Sequence, residues 1–219
     1  SPSLDKRLLS FGVTPGVANI VIGGVLMATG LLVGLWSNLV QFTQDDSPNV
    51  WGPGLGVYVR SGFPGKWGMS ATRNLRFTSR ITSVSGNTIG LATPIPIGLS
   101  GALNPRAYPL RNAPPTSLCG VEDLTVVGGS GTDRAVSWWG ADRGWVTRVE
   151  AININGGHGA IYIEDGFQCE LRRCYIHDCP DYPSQADGYG LLLYYGCSSC
   201  LLEDNVTYRL GCGIVMNGA

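Results

Sequence analysis

A short apolar strand pattern recurs four times in the C-terminal half of the chain at nearly constant spacing. The anchor residues of the first strand, at intervals of 25, 25 and 31 residues, are Val121, Val146, Leu171 and Leu202. The anchors of a second strand, at intervals of 25, 30 and 23 residues, are Val136, Ile161, Leu191 and Ile214. These intervals leave no room for the helix that a βαβ unit places between parallel strands. The repeat therefore predicts stacked strands without helices.

Both series lengthen only where they span residues 178–188, with the sequence DCPDYPSQADG. A loop inserted into one turn of a regular coil produces this pattern. In a parallel β-helix each coil stacks on the preceding one at roughly 4.8 Å, so matched positions form internal ladders. Two further ladders are predicted, one of Leu124, Val149, Cys174 and Asn205 and one of Cys119, Gly144, Cys169 and Cys200. A leucine-rich repeat, the nearest alternative, would show a Leu/Asn consensus that this chain lacks.

The chain before the repeats divides into an apolar segment, residues 1–36, and a β-rich lead-in, residues 37–112, so that the coils occupy 113–219. Residues 75–84 alternate between apolar and polar, and a Ser-Gly-Asn-Thr turn leads to a returning strand near Ile89. This pattern predicts a β-hairpin. A linker rich in proline then precedes the repeats; its prolines are Pro94, Pro96, Pro105, Pro109, Pro114 and Pro115.

The apolar segment has two interpretations. No charged residue occurs between Arg7 and Asp45, and residues 20–35 are almost wholly apolar. A membrane-spanning helix needs about 20 such residues, which the run reaches only if it extends over 17–36. Four glycines interrupt the run and weaken a helix, so buried strands are the other interpretation. Membrane association through 17–36 therefore stays open.

Composition excludes some partners. Charged residues make up 14% of the chain, and 15 basic against 16 acidic residues give a net charge of −1. Without a basic excess there is nothing to neutralise a polyphosphate backbone, so no nucleic-acid partner is expected. Low charge together with 32 glycines is typical of an all-β protein.

The cysteines indicate structural thiols or disulfides. Six of the seven lie between Cys169 and Cys212, and only Cys197 and Cys200 form a C-x-x-C pair, without a second pair to complete a zinc site. If the coils stack as predicted, Cys169 and Cys200 occupy adjacent coils, close enough in principle for a disulfide. An odd number leaves at least one thiol free or paired outside the chain.

The repeats resemble the right-handed parallel β-helix proteins of the pectate-lyase-like superfamily. The matching stretches are GVEDLTV (120–126), YIHD (175–178), DGYGLLL (187–193) and CLLEDN (200–205). The resemblance covers residues 119–219 strongly, the preceding seventy weakly and the first thirty-five not at all. It implies an extracellular or cell-surface protein that handles carbohydrate. The superfamily includes lyases, hydrolases, epimerases, phage tailspikes and inert surface proteins, so the resemblance is specific for fold rather than activity.

The resemblance also implies where chemistry would lie. Lyases on this scaffold use Ca²⁺ to acidify a proton next to a uronate carboxylate and an Arg or Lys as base. Hydrolases use carboxylates roughly 5–9 Å apart across a groove. The candidate catalytic residues are Arg172, Arg173, His177 and Asp178. The candidate Ca²⁺ ligands, from the inserted loop, are Asp178, Asp181 and Asp187. The alternatives are turn-capping aspartates and a solvated strand face.

Aromatic side chains beside the repeating strands are candidate sugar platforms, because flat rings bury much area at low entropic cost. The candidate substrate-binding residues are Trp138, Tyr162, Asp187 and Tyr194. Trp138 and Trp139 are adjacent, so strand alternation directs one of them outward. Inward-facing rings would instead fill the coil.

The sequence thus predicts an extracellular β-helix that binds an acidic polysaccharide, and a lyase or hydrolase if it also cleaves. The alternative is a non-catalytic structural, adhesive or assembly subunit on the same fold. Coils of this kind usually continue to a cap, whereas this chain stops at Asn217-Gly-Ala. We therefore expect further coils or a partner protein at the C-terminal end, because an open coil exposes core and strand edge.

Overall fold

The structure is a computed structural model. It describes residues 19–21, 39–43, 76–85, 88–96, 98–99, 105–109, 115–129, 131–155, 157–180, 182 and 188–217. The chain forms two compact units, Ser1–Pro114 and Pro115–Ala219. Every regular element in the described ranges is a strand, which confirms the all-β prediction.

The first unit contains a five-stranded antiparallel sheet in the order β1-β4-β3-β2-β5. Its strands are β1 (Asn19–Val21), β2 (Leu39–Thr43), β3 (Arg76–Ser85), β4 (Thr88–Leu91) and β5 (Arg106–Pro109). Strands β3 and β4 pair antiparallel through Val84 and Ile89, which confirms the predicted hairpin. Leu39, Phe42 and Phe77 are buried, and so are Val40 and Gln41, so the side chains on both faces of strand β2 are covered.

The described part of the apolar N-terminal segment is strand β1, which pairs antiparallel with β4 through Ile20 and Ile89. The rest of residues 17–36 lies outside the described ranges, so neither interpretation of that segment is tested. Within the described residues, no helix has the length and apolar character needed to cross a membrane.

The second unit is built from short strands in two main parallel sheets and one minor sheet. The minor sheet pairs β6 (Thr116–Ser117) with β9 (Ala141–Asp142). The strands of the first main sheet are β7 (Gly120–Val127), β10 (Trp145–Ile152), β12 (Glu170–Arg172), β13 (Tyr175–His177), β15 (Leu201–Glu203) and β16 (Val206–Tyr208). Those of the second main sheet are β8 (Val136–Trp139), β11 (Ile161–Glu164), β14 (Tyr189–Tyr194) and β17 (Cys212–Asn217).

Successive repeats pair in the predicted register. Val146 lies opposite Val121 on one side and Leu171 on the other, and Leu171 lies opposite Leu202. In the second main sheet the paired positions, all in parallel strands, are Val136, Ile161, Leu191 and Ile214. Both anchor series are therefore confirmed as ladders of paired strand positions.

The anchor residues converge on one apolar core. Val146, Ile161, Leu171 and Leu191 are each 0% exposed and belong to a single cluster of buried side chains. Asn205 enters this interior as a polar member, as the second predicted ladder requires. Its Nδ2 donates to the Leu171 carbonyl oxygen at 2.8 Å, and its Oδ1 accepts from the Cys174 backbone N–H at 3.0 Å. Both halves of this half-buried amide are thus satisfied.

The seven cysteines are thiols in the structure. The Leu201 backbone N–H donates to the Cys169 carbonyl oxygen at 2.8 Å, which confirms that Cys169 and Cys200 occupy adjacent repeats. Interaction with the Cys200 thiol and burial together raise the pKa of the Cys169 thiol far above its ordinary value. The Cys169 thiol therefore stays protonated and packs as a small apolar group.

The backbone turns its corners at non-glycine residues in the left-handed region, and these residues recur with the repeat. One series, with φ between 53° and 56°, is Leu118, Arg143, Gln168 and Ser199. A second, with φ between 52° and 55°, is Asp123, Arg148, Arg173 and Asp204. Each such residue costs roughly 1–2 kcal/mol, which persists only where pairing on both sides determines the conformation. These corners direct the outward side chains described below.

Candidate functional site

An outer aromatic cluster lies on the second main sheet. We define it as Trp139, Tyr162 and Tyr194 together with Glu164 and Arg134. Glu164 lies opposite Trp139 in one neighbouring strand and opposite Tyr194 in the other. Strand alternation directs these side chains away from the core, because Ile161 and Ile163 point inward.

Ring contacts connect the cluster across three repeats. The ring centroids of Trp139 and Tyr162 are 5.9 Å apart in an edge arrangement, and those of Tyr162 and Tyr194 are 5.8 Å apart. The Arg134 guanidinium carbon lies 4.4 Å from the Tyr162 ring centroid and 5.4 Å from that of Trp139. Such edge and cation–π contacts hold each ring in one orientation.

Glu164 accepts hydrogen bonds from two of the aromatic side chains. Its Oε2 accepts from Trp139 Nε1 at 2.7 Å and from the Tyr162 hydroxyl at 2.5 Å. Burial is the main cause that raises the pKa of Tyr162 well above its ordinary value, and the Glu164 carboxylate raises it further. The phenol therefore remains a hydrogen-bond donor at any physiological pH.

The cluster combines the groups that recognise a sugar. Trp139 is 47% exposed and presents a ring to solvent, whereas Tyr162 is 3% exposed and supports it from below. A carboxylate that accepts hydroxyl protons and a guanidinium that donates flank the rings. The arrangement is suited to stacking and hydrogen bonding of a polar ring, and is held by neighbouring side chains before any ligand arrives.

Of the adjacent tryptophans, Trp138 packs against the apolar core and Trp139 points outward. Trp138 was the residue predicted from the sequence, because alternation alone does not determine which of two neighbouring residues faces inward. The register supplies the missing information, because Trp138 lies opposite the buried Ile163. Tyr162 and Tyr194 lie in the cluster, and Asp187 lies outside the described residues.

The two candidate arginines point to carboxylates of adjacent positions. The Nε of Arg172 lies 3.2 Å from Glu170 and 3.2 Å from Glu203. Arg173, at a left-handed corner, lies 3.8 Å from Asp204. Both guanidinium groups therefore have carboxylate partners in the structure. The catalytic assignment of the two residues stays a prediction.

His177 and Asp178 form a second polar group with Glu150. His177 Nδ1 lies 2.8 Å from Asp178 Oδ2, and its Nε2 lies 3.1 Å from Glu150 Oε1. The Tyr175 ring stacks on the imidazole at 4.0 Å. Thr125 donates its hydroxyl to Glu150 at 2.8 Å, so the group connects three repeats. Both imidazole nitrogens face carboxylates, which favours the doubly protonated ring.

Among the proposed Ca²⁺ ligands, only Asp178 is described; Asp181 and Asp187 are not. Asp178 Oδ2 faces His177, and Oδ1 lies 3.3 Å from Arg209 Nη1. Both carboxylate oxygens therefore already have cationic or donor partners. In the described part of the chain, no three His, Cys, Asp or Glu side chains are arranged so that they could hold a metal ion. The Ca²⁺ assignment stays a prediction.

We expect His177 to titrate above its ordinary pKa of 6.5. Burial alone lowers the pKa of this imidazole, but hydrogen bonds to Asp178 and Glu150 outweigh it and raise the pKa. The pKa of Glu150 is lowered from 4.5 by its hydrogen bonds to Thr125 and His177. The pair therefore stabilises the fold most between about pH 4.5 and 6.5, and the histidine contribution is lost as pH rises through its folded pKa.

This prediction is checked by NMR titration of the imidazole resonances, which is simplified by the presence of only two histidines. Asp178→Asn and Glu150→Gln should each lower the pKa of His177, since each removes one carboxylate partner. A pKa at or below 6.5 in the unmodified protein would contradict the paired geometry.

The candidate residues named from the sequence do not include Arg134, Glu164 or Glu150, and they include Trp138 in place of its neighbour Trp139. The repeat carried a usable signal, because Trp139 and Glu164 are 25 residues apart, as are Thr125 and Glu150. Matched polar residues at one repeat interval are direct neighbours on stacked strands.

Comparisons with known proteins bear on the fold. No protein-family model matches the chain, and no curated protein matches it. One similar solved structure is the tailspike protein gp49 from Pseudomonas phage LKA1, with 14% identity, a TM-score of 0.50, and coverage of 94% of this chain and 31% of that chain. Another is the Pseudomonas phage phi297 tailspike gp61, with 11% identity, a TM-score of 0.33, and coverage of 96% and 34%. The chain thus spans about a third of these proteins. The first likeness supports a β-helix and leaves activity open.

Proposed function

We propose that the second unit is a right-handed parallel β-helix of the pectate-lyase-like kind that binds polysaccharide at an extracellular or cell surface. Parallel pairing at each repeat interval supports the coil, as do the resemblance of residues 119–219 and the similar tailspike structure. Polysaccharide suits such a scaffold, because a rigid stack of coils presents matched side chains along one line.

The observation that carries this proposal is the outer aromatic cluster. Three aromatic residues in consecutive repeats are fixed by ring contacts and by a shared carboxylate. A surface that binds a sugar ring needs a hydrogen-bonding group and an exposed aromatic ring. Glu164 and Trp139 supply these, and neither residue belongs to the apolar core. Arg134 beside the rings supports an acidic polysaccharide, since its 3.4 Å contact with the exposed Asp133 involves only Nε and leaves the two terminal nitrogens for a sugar carboxylate.

The proposal is tested by measuring the affinity for immobilised acidic and neutral polysaccharides. Trp139→Ala and Tyr194→Ala should each weaken binding of the acidic polysaccharides about tenfold, which corresponds to loss of about 1.4 kcal/mol of stacking and hydrogen bonding. The matched control is Tyr208→Ala, because Tyr208 is 57% exposed and lies on the other main sheet.

Binding that is absent across the panel would overturn the proposal, as would equal affinities for the cluster variants and Tyr208→Ala. Cleavage is read in the same samples from unsaturated products and new reducing ends, with and without Ca²⁺. Arg172, Arg173, His177 and Asp178 remain the predicted catalytic residues.

A structural or assembly subunit is the second candidate function, favoured by the exposed face of strand β17. Ile214 and Met216 lie in register with Leu191 and Leu193, which are buried. They are nevertheless 48% and 64% exposed. Apolar residues at core positions of a solenoid are normally covered by a further coil or by a partner chain. Absence of glycan binding would leave this function as the better explanation of the fold.

A further inference from the structure

A cleft of about 500 Å³ crosses a corner of the second unit, and none of its lining residues belongs to the outer aromatic cluster. We call it the Trp145 cleft; its lining residues are Arg143, Gly144, Trp145, Gln168, Glu170, Ser199 and Leu201. All of them except Gly144 come from two ladders. One is the ladder of left-handed corner residues, and the other is formed by the residues two positions after each corner. The cleft therefore follows the stacking direction over three repeats.

Trp145 is laid flat on the neighbouring repeat. Gly120 lies opposite it in the parallel pair, and a Cβ added at Gly120 would come within 2.1 Å of Trp145 Cε2. The indole therefore occupies the space that a side chain at Gly120 would take, and lies against bare backbone. Its Nε1 donates to Glu122, which fixes the ring in its plane. One face of the indole is thus supported, and the ring borders the cleft.

Arg143 is fixed at the other wall. Asp142 is 0% exposed, and its two carboxylate oxygens lie 3.2 Å and 3.0 Å from Nε and Nη2 of Arg143. A bidentate pair of this kind sets the direction of the guanidinium, and its Nη1 takes no part in that pair. The left-handed backbone at Arg143 holds the base of the side chain.

The charges that border the cleft nearly cancel. The Arg143 cation is already opposed by Asp142, and the carboxylate of Glu170 lies on the opposite strand with Arg172 3.2 Å away. A fully charged anion would meet Glu170 without an uncompensated cation, whereas hydroxyl groups donate to a carboxylate and accept from a guanidinium. Uncharged sugar rings fit this set better than uronates.

We propose that the Trp145 cleft is a binding site for an uncharged, hydroxyl-rich oligosaccharide segment. One sugar ring stacks on the indole, and its hydroxyls bond to Arg143 and Glu170. Three repeats separated by roughly 4.8 Å give a length of about 10 Å, enough for two linked rings along the stack. The site is separate from the outer aromatic cluster and shares with it only the general class of ligand.

The test uses the full chain labelled with ¹⁵N, so that the indole N–H signal of Trp145 can be followed by NMR. Cellopentaose, maltopentaose and tri-galacturonate are each added to millimolar concentration. We expect a neutral oligosaccharide to shift the Trp145 signal, and Trp145→Ala to weaken that binding at least about tenfold. Trp145→Phe keeps a ring above Gly120 and should retain most of the affinity. Gly120→Ala should reduce the affinity without removing the indole, because its Cβ displaces the ring.

Trp139→Ala separates this site from the outer aromatic cluster, since it should leave the neutral oligosaccharide affinity unchanged. The proposal is overturned if neither neutral oligosaccharide shifts the Trp145 signal, if Trp145→Ala binds as tightly as the unmodified chain, or if tri-galacturonate binds more tightly here. If Trp139→Ala weakens binding of the acidic polysaccharide but not of the neutral oligosaccharide, the two sites bind independently and both proposals are supported.

Discussion

Replacing Leu171 by alanine is expected to lower the free energy of unfolding by about 2–5 kcal/mol. Leu171 is 0% exposed and lies between Val146 and Leu202 in the ladder at the centre of the core. The core cannot collapse around the missing carbons, because paired backbone on both sides of Leu171 fixes the spacing of the strands. The loss therefore includes a cavity as well as the lost burial. Urea unfolding followed by circular dichroism measures it.

Leu201→Ala is the matched control for this loss. Leu201 immediately precedes the anchor residue Leu202 in strand β15 and is 37% exposed, because strand alternation turns it outward. The same atoms are removed there, and we expect a change within about 0.5 kcal/mol. Similar losses for the two variants would contradict the register on which the whole unit rests.

Sequence periodicity was sufficient to predict this register, because parallel strands stacked in register place the same packing requirement on the matched position of each repeat. Val121, Val146, Leu171 and Leu202 are all apolar, since each meets the next one directly. The inserted loop did not obscure the pattern, because an insertion between paired strands leaves their pairing unchanged. The hairpin of β3 and β4 was predictable for the same kind of reason, from local alternation and a turn.

The candidate site was less predictable, since it depends on contacts between repeats and on backbone conformation. Arg143 and Arg148 adopt left-handed conformations that residue type does not indicate, because arginine has no preference for positive φ. Whether Trp138 or Trp139 faces outward follows from the pairing with Ile163 and Glu164, which is a property of the fold. The support of Trp145 by Gly120 is likewise visible only when strands are paired.

Gly190→Ala is expected to destabilise the second unit by about 1–3 kcal/mol, although it adds a single carbon. Gly190 lies in strand β14, and a Cβ there would be 2.5 Å from the Gly213 carbonyl oxygen and 2.8 Å from Leu210 Cδ1. The nearer atom belongs to the backbone of the next repeat, which cannot rotate away as a side chain can. Relief requires the two repeats to separate, and this breaks the parallel pairing of β14 with β17.

Gly129→Ala tests whether this cost comes from the close approach or from the loss of glycine itself. No atom lies within 4 Å of a Cβ added at Gly129, so the substitution only restricts the unfolded chain and should stabilise the protein by about 0.4–1 kcal/mol. The two variants should therefore shift the urea midpoint in opposite directions. A stabilised Gly190→Ala would mean that the repeats are farther apart at β14 and β17 than parallel pairing allows, because only a wider separation leaves room for the added carbon.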